Sequence, residues 1–145
     1  NKMNLHTTEI STQAAIIAKI SKVRNILKIY QRDFLKKNNA CVLEGRDAST
    51  KILPNSDVKF FFTCNLNVAA KRRYKELKKK SKKINFLEVK RAIYKRNLMD
   101  RSRRISPLQK HPDAVVVNTT KIDKKAMLAK MSVNVERALK LKYGI

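Results

Sequence analysis

Arg96, Asp100 and Arg103 stand four and three residues apart at the end of a segment with helical periodicity, so all three fall on one helix face. An aspartate between two arginines can orient either guanidinium through charge-assisted hydrogen bonds. Both arginines can then converge on one phosphoryl group, where cationic donors stabilise the charge spread over its oxygens. The same spacing also describes a salt-bridge ladder on a solvated helix. A second pair, Arg46-Asp47, follows the apolar run Cys41-Val42-Leu43 and then Glu44-Gly45. An aspartate in such a pair can accept from an exocyclic amine or a sugar hydroxyl, while the arginine meets phosphate or ring acceptors. Two adjacent charges in a turn can equally be a solvated ion pair.

The elements that must position these groups can be read in order. Between Glu9 and Lys37, Val23, Leu27, Tyr30 and Phe34 recur at helical spacing and make one apolar stripe, bordered by Arg24. Ser21 suits an N-cap, which divides the stretch into two helices, the first holding Ile10, Ala14 and Ile17. Cys41-Val42-Leu43 reads as a buried strand that delivers Arg46 and Asp47 to its carboxyl end, the edge where open parallel sheets bind ligands. After the turn cluster Pro54-Asn55-Ser56-Asp57, the nearly continuous run Val58 to Cys64 predicts a strand covered on both faces. Asn65 caps a helix with Ala70, Tyr74 and Leu77 as its stripe and Arg73 within the same arc. Phe86, Val89 and Ile93 then begin the stripe that Arg96, Asp100 and Arg103 continue, and Pro107 ends the segment. A third strand spans Asp113 to Thr120, and Asp123 caps a final helix with Met127, Met131, Val135 and Leu139 along one side.

Strands alternating with helices predict an α/β domain, a parallel sheet flanked by helices. Three strands, each covered on both faces, are too few to close such a sheet, so a missing piece is expected. The chain has only two glycines, Gly45 and Gly144, and no phosphate-cradling G-x-x-x-x-G-K-[ST].

Composition sets outer bounds. The 145 residues make about one domain, and 43% hydrophobic content supports a modest core. Against 11 Asp and Glu stand 35 Lys and Arg, a net charge of +24, which fits a nucleic acid or another polyanion as partner. Most of the excess is lysine scattered along exposed faces, whereas the arginines recur beside apolar anchors or aspartates. The basic run Lys71 to Lys83 reads as a solvated helix end, a flap over polyphosphate, or an RNA-binding arm. Cys41 and Cys64 lie in apolar runs without C-x-x-C spacing, so buried reduced thiols in a cytoplasmic protein are expected. His6 and His111 have no metal or triad constellation around them. No run of about 18 apolar residues exists to span a membrane, and no signal-peptide pattern opens the chain.

The motifs together resemble the bacterial cytidylate kinases, which are P-loop nucleoside monophosphate kinases. The likeness runs through Glu44-Gly45-Arg46-Asp47-Ala48-Ser49-Thr50 and Leu53-Pro54-Asn55-Ser56-Asp57-Val58-Lys59-Phe60-Phe61-Phe62. It continues in Ala70-Lys71-Arg72-Arg73-Tyr74-Lys75-Glu76-Leu77, in Arg96 through Asp100 to Arg103, in Ser106-Pro107-Leu108, and in Asp113 to Thr120. The resemblance implies transfer of the terminal phosphoryl group of ATP, with Mg2+, to CMP or dCMP. It implies that Arg24, Arg46 and Asp47 contact the cytidine nucleotide and that Asp100 helps hold the sugar and the arginines. Arg96 and Arg103 would be the catalytic arginines at the end of a closing lid, with Arg72 and Arg73 starting that lid on the donor side. Ala15 stands where the family uses a serine for cytosine recognition, and Ser49 where glycine is usual.

On this resemblance, residues 1–145 form a partial cytidylate kinase domain. Residues 1–40 are helices bordering the nucleotide site, 41–77 core strands and helix, 78–104 the lid region, and 105–145 the last core strand and C-terminal helix. The P-loop strand and its lysine are expected to precede Asn1, and the ligands of Mg2+ to lie largely outside the chain. The chain by itself is then expected to be inactive and monomeric. A basic RNA-binding or ribosome-associated protein is the alternative that the charge raises.

Overall fold

Two short parallel strands organise the chain in the computed structural model, which describes residues 7–38, 40–80 and 83–144. In chain order the elements are α1 (Thr8–Ile17), α2 (Ser21–Lys36), a single π-helical turn (Ala48–Ile52), β1 (Phe60–Thr63), α3 (Leu66–Lys78), α4 (Phe86–Ser102), β2 (Val115–Asn118) and α5 (Lys124–Tyr143). Aromatic and β-branched residues make up β1 and all of β2 except Asn118, and suit a pleated surface. They pair with Phe60 opposite Val115 and Thr63 opposite Asn118. The Val115 N–H donates to the Lys59 carbonyl at 2.9 Å and the Thr119 N–H to the Thr63 carbonyl at 2.8 Å, extending the ladder at each end. Parallel strands need a long crossover, and α3 with α4 supplies it.

Side-chain caps set where several helices begin. Thr7 accepts from the Ile10 N–H, Asn65 from Asn67, Asn85 from Leu87, and Asp123 from Ala126, each satisfying an amide the helix cannot pair internally. Ser21 is the first helical residue of α2 and not its cap; Ile20 holds the cap position with no side-chain bond. At the other end of the chain Gly144 stops α5 with a φ of +70°, a conformation that glycine adopts without penalty.

The core lies where α3 packs on α4 and α1 leans on α4. Ala70, Leu77 and Val89 are buried there, and the Tyr74 ring meets Phe86 edge-on at 5.8 Å. On α1 the buried residue is Ala15, so the face turned to α4 differs from the expected Ile10, Ala14 and Ile17 line. Arg32 of α2 donates to the Ile52 and Lys51 carbonyls at 3.0 and 3.1 Å, fastening α2 to the π turn. Arg72 donates to the Thr119 and Ile122 carbonyls at 2.7 and 3.2 Å and thereby ties α3 to the approach to α5. Among the described residues no helix is long and apolar enough to cross a membrane.

Three expectations need correction. Cys41-Val42-Leu43 is not a strand: it lacks regular structure, Val42 is fully exposed, and the sheet consists of β1 and β2 alone among the described residues. An apolar run becomes a strand only when a neighbour accepts its backbone bonds. Nor are the strands covered on both faces. Phe62 is 48% exposed and Val116, on the opposite face, 43%. Finally, Cys41 and Cys64 are free thiols but exposed, because one lies in that irregular run and the other just beyond the end of β1. The apolar stripe of α2 exists as a pattern, yet none of its apolar residues is buried. His6 lies outside the described residues.

Burial therefore separates two kinds of apolar position. Leu77→Ala, inside the α3–α4 contact, should lower the free energy of unfolding by about 2–4 kcal/mol. Leu27→Ala, on the uncovered stripe, should change it by less than about 0.5 kcal/mol. Urea midpoints of the two variants check the contrast.

Candidate functional site

Three stretches far apart in sequence bring their charges together. Arg24 comes from the first turns of α2, Arg46 and Asp47 from the loop entering the π turn, and Arg96, Asp100 and Arg103 from the end of α4. The π turn holds the loop because the Asp47 carbonyl accepts from the Lys51 and Ile52 amides at 2.9 and 3.3 Å. This turn, and not a strand, delivers Arg46 and Asp47.

Two aspartates anchor the cluster. Asp47 and Arg24 form a close ion pair, both largely buried. The Arg24 Nη1 also donates to the Ala18 carbonyl at 3.5 Å, which references the pair to the turn between α1 and α2. Asp100 is 3% exposed and faces three guanidiniums. Arg103 Nη1 donates to its Oδ1 at 3.3 Å. Arg46 Nε lies 2.9 Å from Oδ2 and Arg96 Nε 3.9 Å from it. Oδ2 has no directed hydrogen bond, so these two contacts are charge contacts with bonding capacity left over.

Exposure divides the arginines. Arg46 and Arg96 keep 44% and 37% of their side chains accessible, whereas Arg24 and Arg103 are buried in the frame. Burial first, and then the like charges of Arg46 and Arg73, push the Arg96 guanidinium below its ordinary pKa, against the pull of Asp100. Burial and then Arg24 do the same to Arg103, opposed by Asp100 and Asp47. Arginine remains protonated under such shifts, so their meaning is a crowded positive field. Four guanidiniums against two carboxylates leave two positive charges uncompensated within the cluster. Arg24 Nε, Arg96 Nε and Arg103 Nη2 are buried donors without an acceptor; each costs about 1–3 kcal/mol while unpaired. A multivalent anion with several oxygens is the ligand that this donor set fits.

The cluster thus unites Arg24, Arg46, Asp47, Arg96, Asp100 and Arg103 of the residues singled out from the sequence. Arg73 sits at its edge, bonded to Glu76 at 2.7 Å and felt electrostatically by Arg96. Arg72 is elsewhere. It lies against Thr119, Ile122 and the Cys64 thiol, beside a cleft of about 490 Å³ at the carboxyl ends of β1 and β2 that Thr63, Asn65, Asn118 and Thr120 help to line.

Sequence reasoning quoted Ser106 within the Ser106-Pro107-Leu108 likeness but gave it no role. Its carbonyl accepts from Arg103 Nε at 2.5 Å, and its backbone is left-handed, with φ +50°. That conformation costs a residue other than glycine on the order of 1–3 kcal/mol. Neither a serine nor its place before Pro107 signals a positive φ. The acidic groups do not suit a divalent cation: Asp47 and Asp100 are engaged by arginines, and the described residues contain no group of three His, Cys, Asp or Glu able to hold a metal ion.

Removing Asp100 should expose what it balances. Asp100→Asn leaves buried guanidiniums without their counter-charge and should lower the unfolding free energy by about 3–5 kcal/mol. Arg46→Gln, at the exposed rim, should cost less than about 1 kcal/mol. Denaturant unfolding of both variants measures the difference.

Comparison with known proteins places the chain in a family. The cytidylate kinase family model matches residues 1–137. The cytidylate kinase of Thermosipho melanesiensis is 37% identical over 137 residues, covering 94% of this chain and 63% of that protein. That of Clostridium tetani is 35% identical over 130 residues, 90% of this chain and 57% of that protein. That of Methylocella silvestris is 36% identical over 138 residues, 95% of this chain and 64% of that protein. The chain spans less than two thirds of the length of these relatives. With its helix-flanked parallel strands and its arginine and aspartate cluster inside the matched residues, the chain belongs to the cytidylate kinase family, with part of the α/β nucleoside monophosphate kinase fold.

Proposed function

We propose that this chain carries the acceptor side of a nucleoside monophosphate kinase that transfers the terminal phosphoryl group of ATP to CMP or dCMP. The observation that supports this most is the convergence of four arginines on two buried aspartates, with two positive charges to spare. The phosphate of a nucleoside monophosphate carries about −2 near neutral pH, which complements that excess.

In this reading Asp47, steadied by Arg24, accepts from the cytosine amine or a sugar hydroxyl. Arg46 and Arg96 reach the phosphate from the accessible rim, while Asp100 holds the arginines and helps hold the sugar. Arg103 carries a further donor, Nη2, for the transferring phosphoryl group as the lid region 78–104 closes and excludes water. Arg72 lies on the donor side, where the cleft at the strand ends faces ATP, and Arg73 starts the lid next to the acceptor cluster. The attacking group is a phosphate oxygen already ionised at neutral pH, so the residues contribute positioning and charge stabilisation and need no general base. Ala15 is buried and has no hydroxyl, which leaves cytosine selection to Arg24 and Asp47. The protein works as a monomer in the cytoplasm, a reducing compartment that suits its exposed free thiols.

Residues 1–145 contain no phosphate-cradling G-x-x-x-x-G-K-[ST]. They should therefore give no ATP-dependent phosphorylation of CMP by themselves, and a measurable rate would contradict this part of the proposal.

Thermal-shift and binding titrations of the full chain with CMP, UMP and AMP test the acceptor assignment. CMP should stabilise selectively, and Arg46→Ala or Asp47→Ala should weaken its binding by roughly 10- to 100-fold. Equal responses to all three nucleotides would remove the cytidine assignment. Tight, steeply salt-dependent RNA binding with no selective effect of CMP would favour the nucleic-acid reading prompted by the +24 charge.

A further inference from the structure

We propose that Ser106 is a positioning residue for the acceptor site, its left-handed backbone turning a carbonyl onto Arg103 and so setting where that guanidinium meets the nucleotide. The inference rests on the acceptor reading above and extends it to a residue outside the charged cluster.

Arg103 is held from two sides. Its Nη1 donates to Asp100 Oδ1 at 3.3 Å and its Nε to the Ser106 carbonyl at 2.5 Å. Fixing two of three nitrogens of a planar group fixes the third, so Nη2, buried and without a partner, has one defined position. The loop that supplies the carbonyl is itself fastened: the Leu108 N–H donates to the Asp100 backbone carbonyl at 2.7 Å. Asp100 therefore grips Arg103 directly through its carboxylate and holds the Ser106 turn through its main chain.

Between those fastenings, Ser106 is the one residue other than glycine with a positive φ among the described residues, at +50°. Pro107 follows, with a fixed φ and no N–H to contribute to an alternative turn. The loop has few ways to present the Ser106 carbonyl to Arg103. A β-branched residue at 106 resists the left-handed region, whereas Gly and Asn enter it readily. The role belongs to the backbone, so substitutions should sort by φ preference and not by loss of the hydroxyl.

Isothermal titration of CMP into the full chain tests this. Ser106→Val should raise the Kd for CMP by about tenfold, the factor carried by one charge-assisted hydrogen bond. Ser106→Gly and Ser106→Asn should restore it to within about twofold. If the valine chain does not fold, as its thermal midpoint will show, Ser106→Thr, which is β-branched but keeps the hydroxyl, takes its place in the comparison. In an Arg103→Ala background the same change at 106 should have no further effect on CMP. Wild-type affinity in the valine or threonine variant, or equal weakening in the Arg103→Ala background, would overturn the proposal. Should the unaltered chain bind no CMP, the acceptor reading falls and takes this role of Ser106 with it.

Discussion

A carboxylate that is 3% exposed and faces three guanidiniums dominates the electrostatics of this chain. Asp100 sits at the end of α4, where Arg96 and Arg103 are its helical neighbours and Arg46 arrives from a loop more than fifty residues earlier. Burying such a group is tolerable only with opposite charge around it. The requirement runs in both directions. Without Asp100 the guanidiniums would repel one another at close range, and without them its charge would be stranded. The end of α4, the Arg46-Asp47 loop and, through Arg24, the start of α2 are thus bound into one unit by charge more than by apolar contact.

This arrangement separates a selective site from general stickiness. The net charge of +24 would attract any polyanion, yet lysines scattered over helix faces carry no geometry. The cluster has geometry: its buried part is a fixed frame of Arg24, Asp47, Asp100 and Arg103, and its accessible part is Arg46 and Arg96. A frame whose donors are already oriented pays little reorganisation when an anion arrives. Unpaired buried donors on Arg24, Arg96 and Arg103 are a standing cost that a phosphate-bearing ligand could relieve.

Much of this was legible because short-range rules produce it. Helical spacing alone put Arg96, Asp100 and Arg103 on one face, and side-chain oxygens at Asn65 and Asp123 marked helix starts that the hydrogen bonds bear out. The order of strands and helices led to a parallel sheet, and β1 and β2 are parallel. What failed depended on partners. Among the described residues Val42 has strand chemistry but nothing to pair with, and Leu27, Tyr30 and Phe34 form a stripe that no element covers. The pairing of Arg24 with Asp47 spans 23 residues, and no local pattern predicts it. Ser106 was illegible for a different reason, since a positive φ at serine is imposed by the contacts around it and leaves no mark in residue type.

A crystal structure of the full chain with CMP tests the central claim most directly. The account predicts phosphate oxygens at about 3 Å from Arg46 and Arg96, with Asp47 on the base or sugar and Asp100 still bridging the arginines. A nucleotide seated instead against the lysines of Lys71 to Lys83, with the arginine cluster empty, would contradict it.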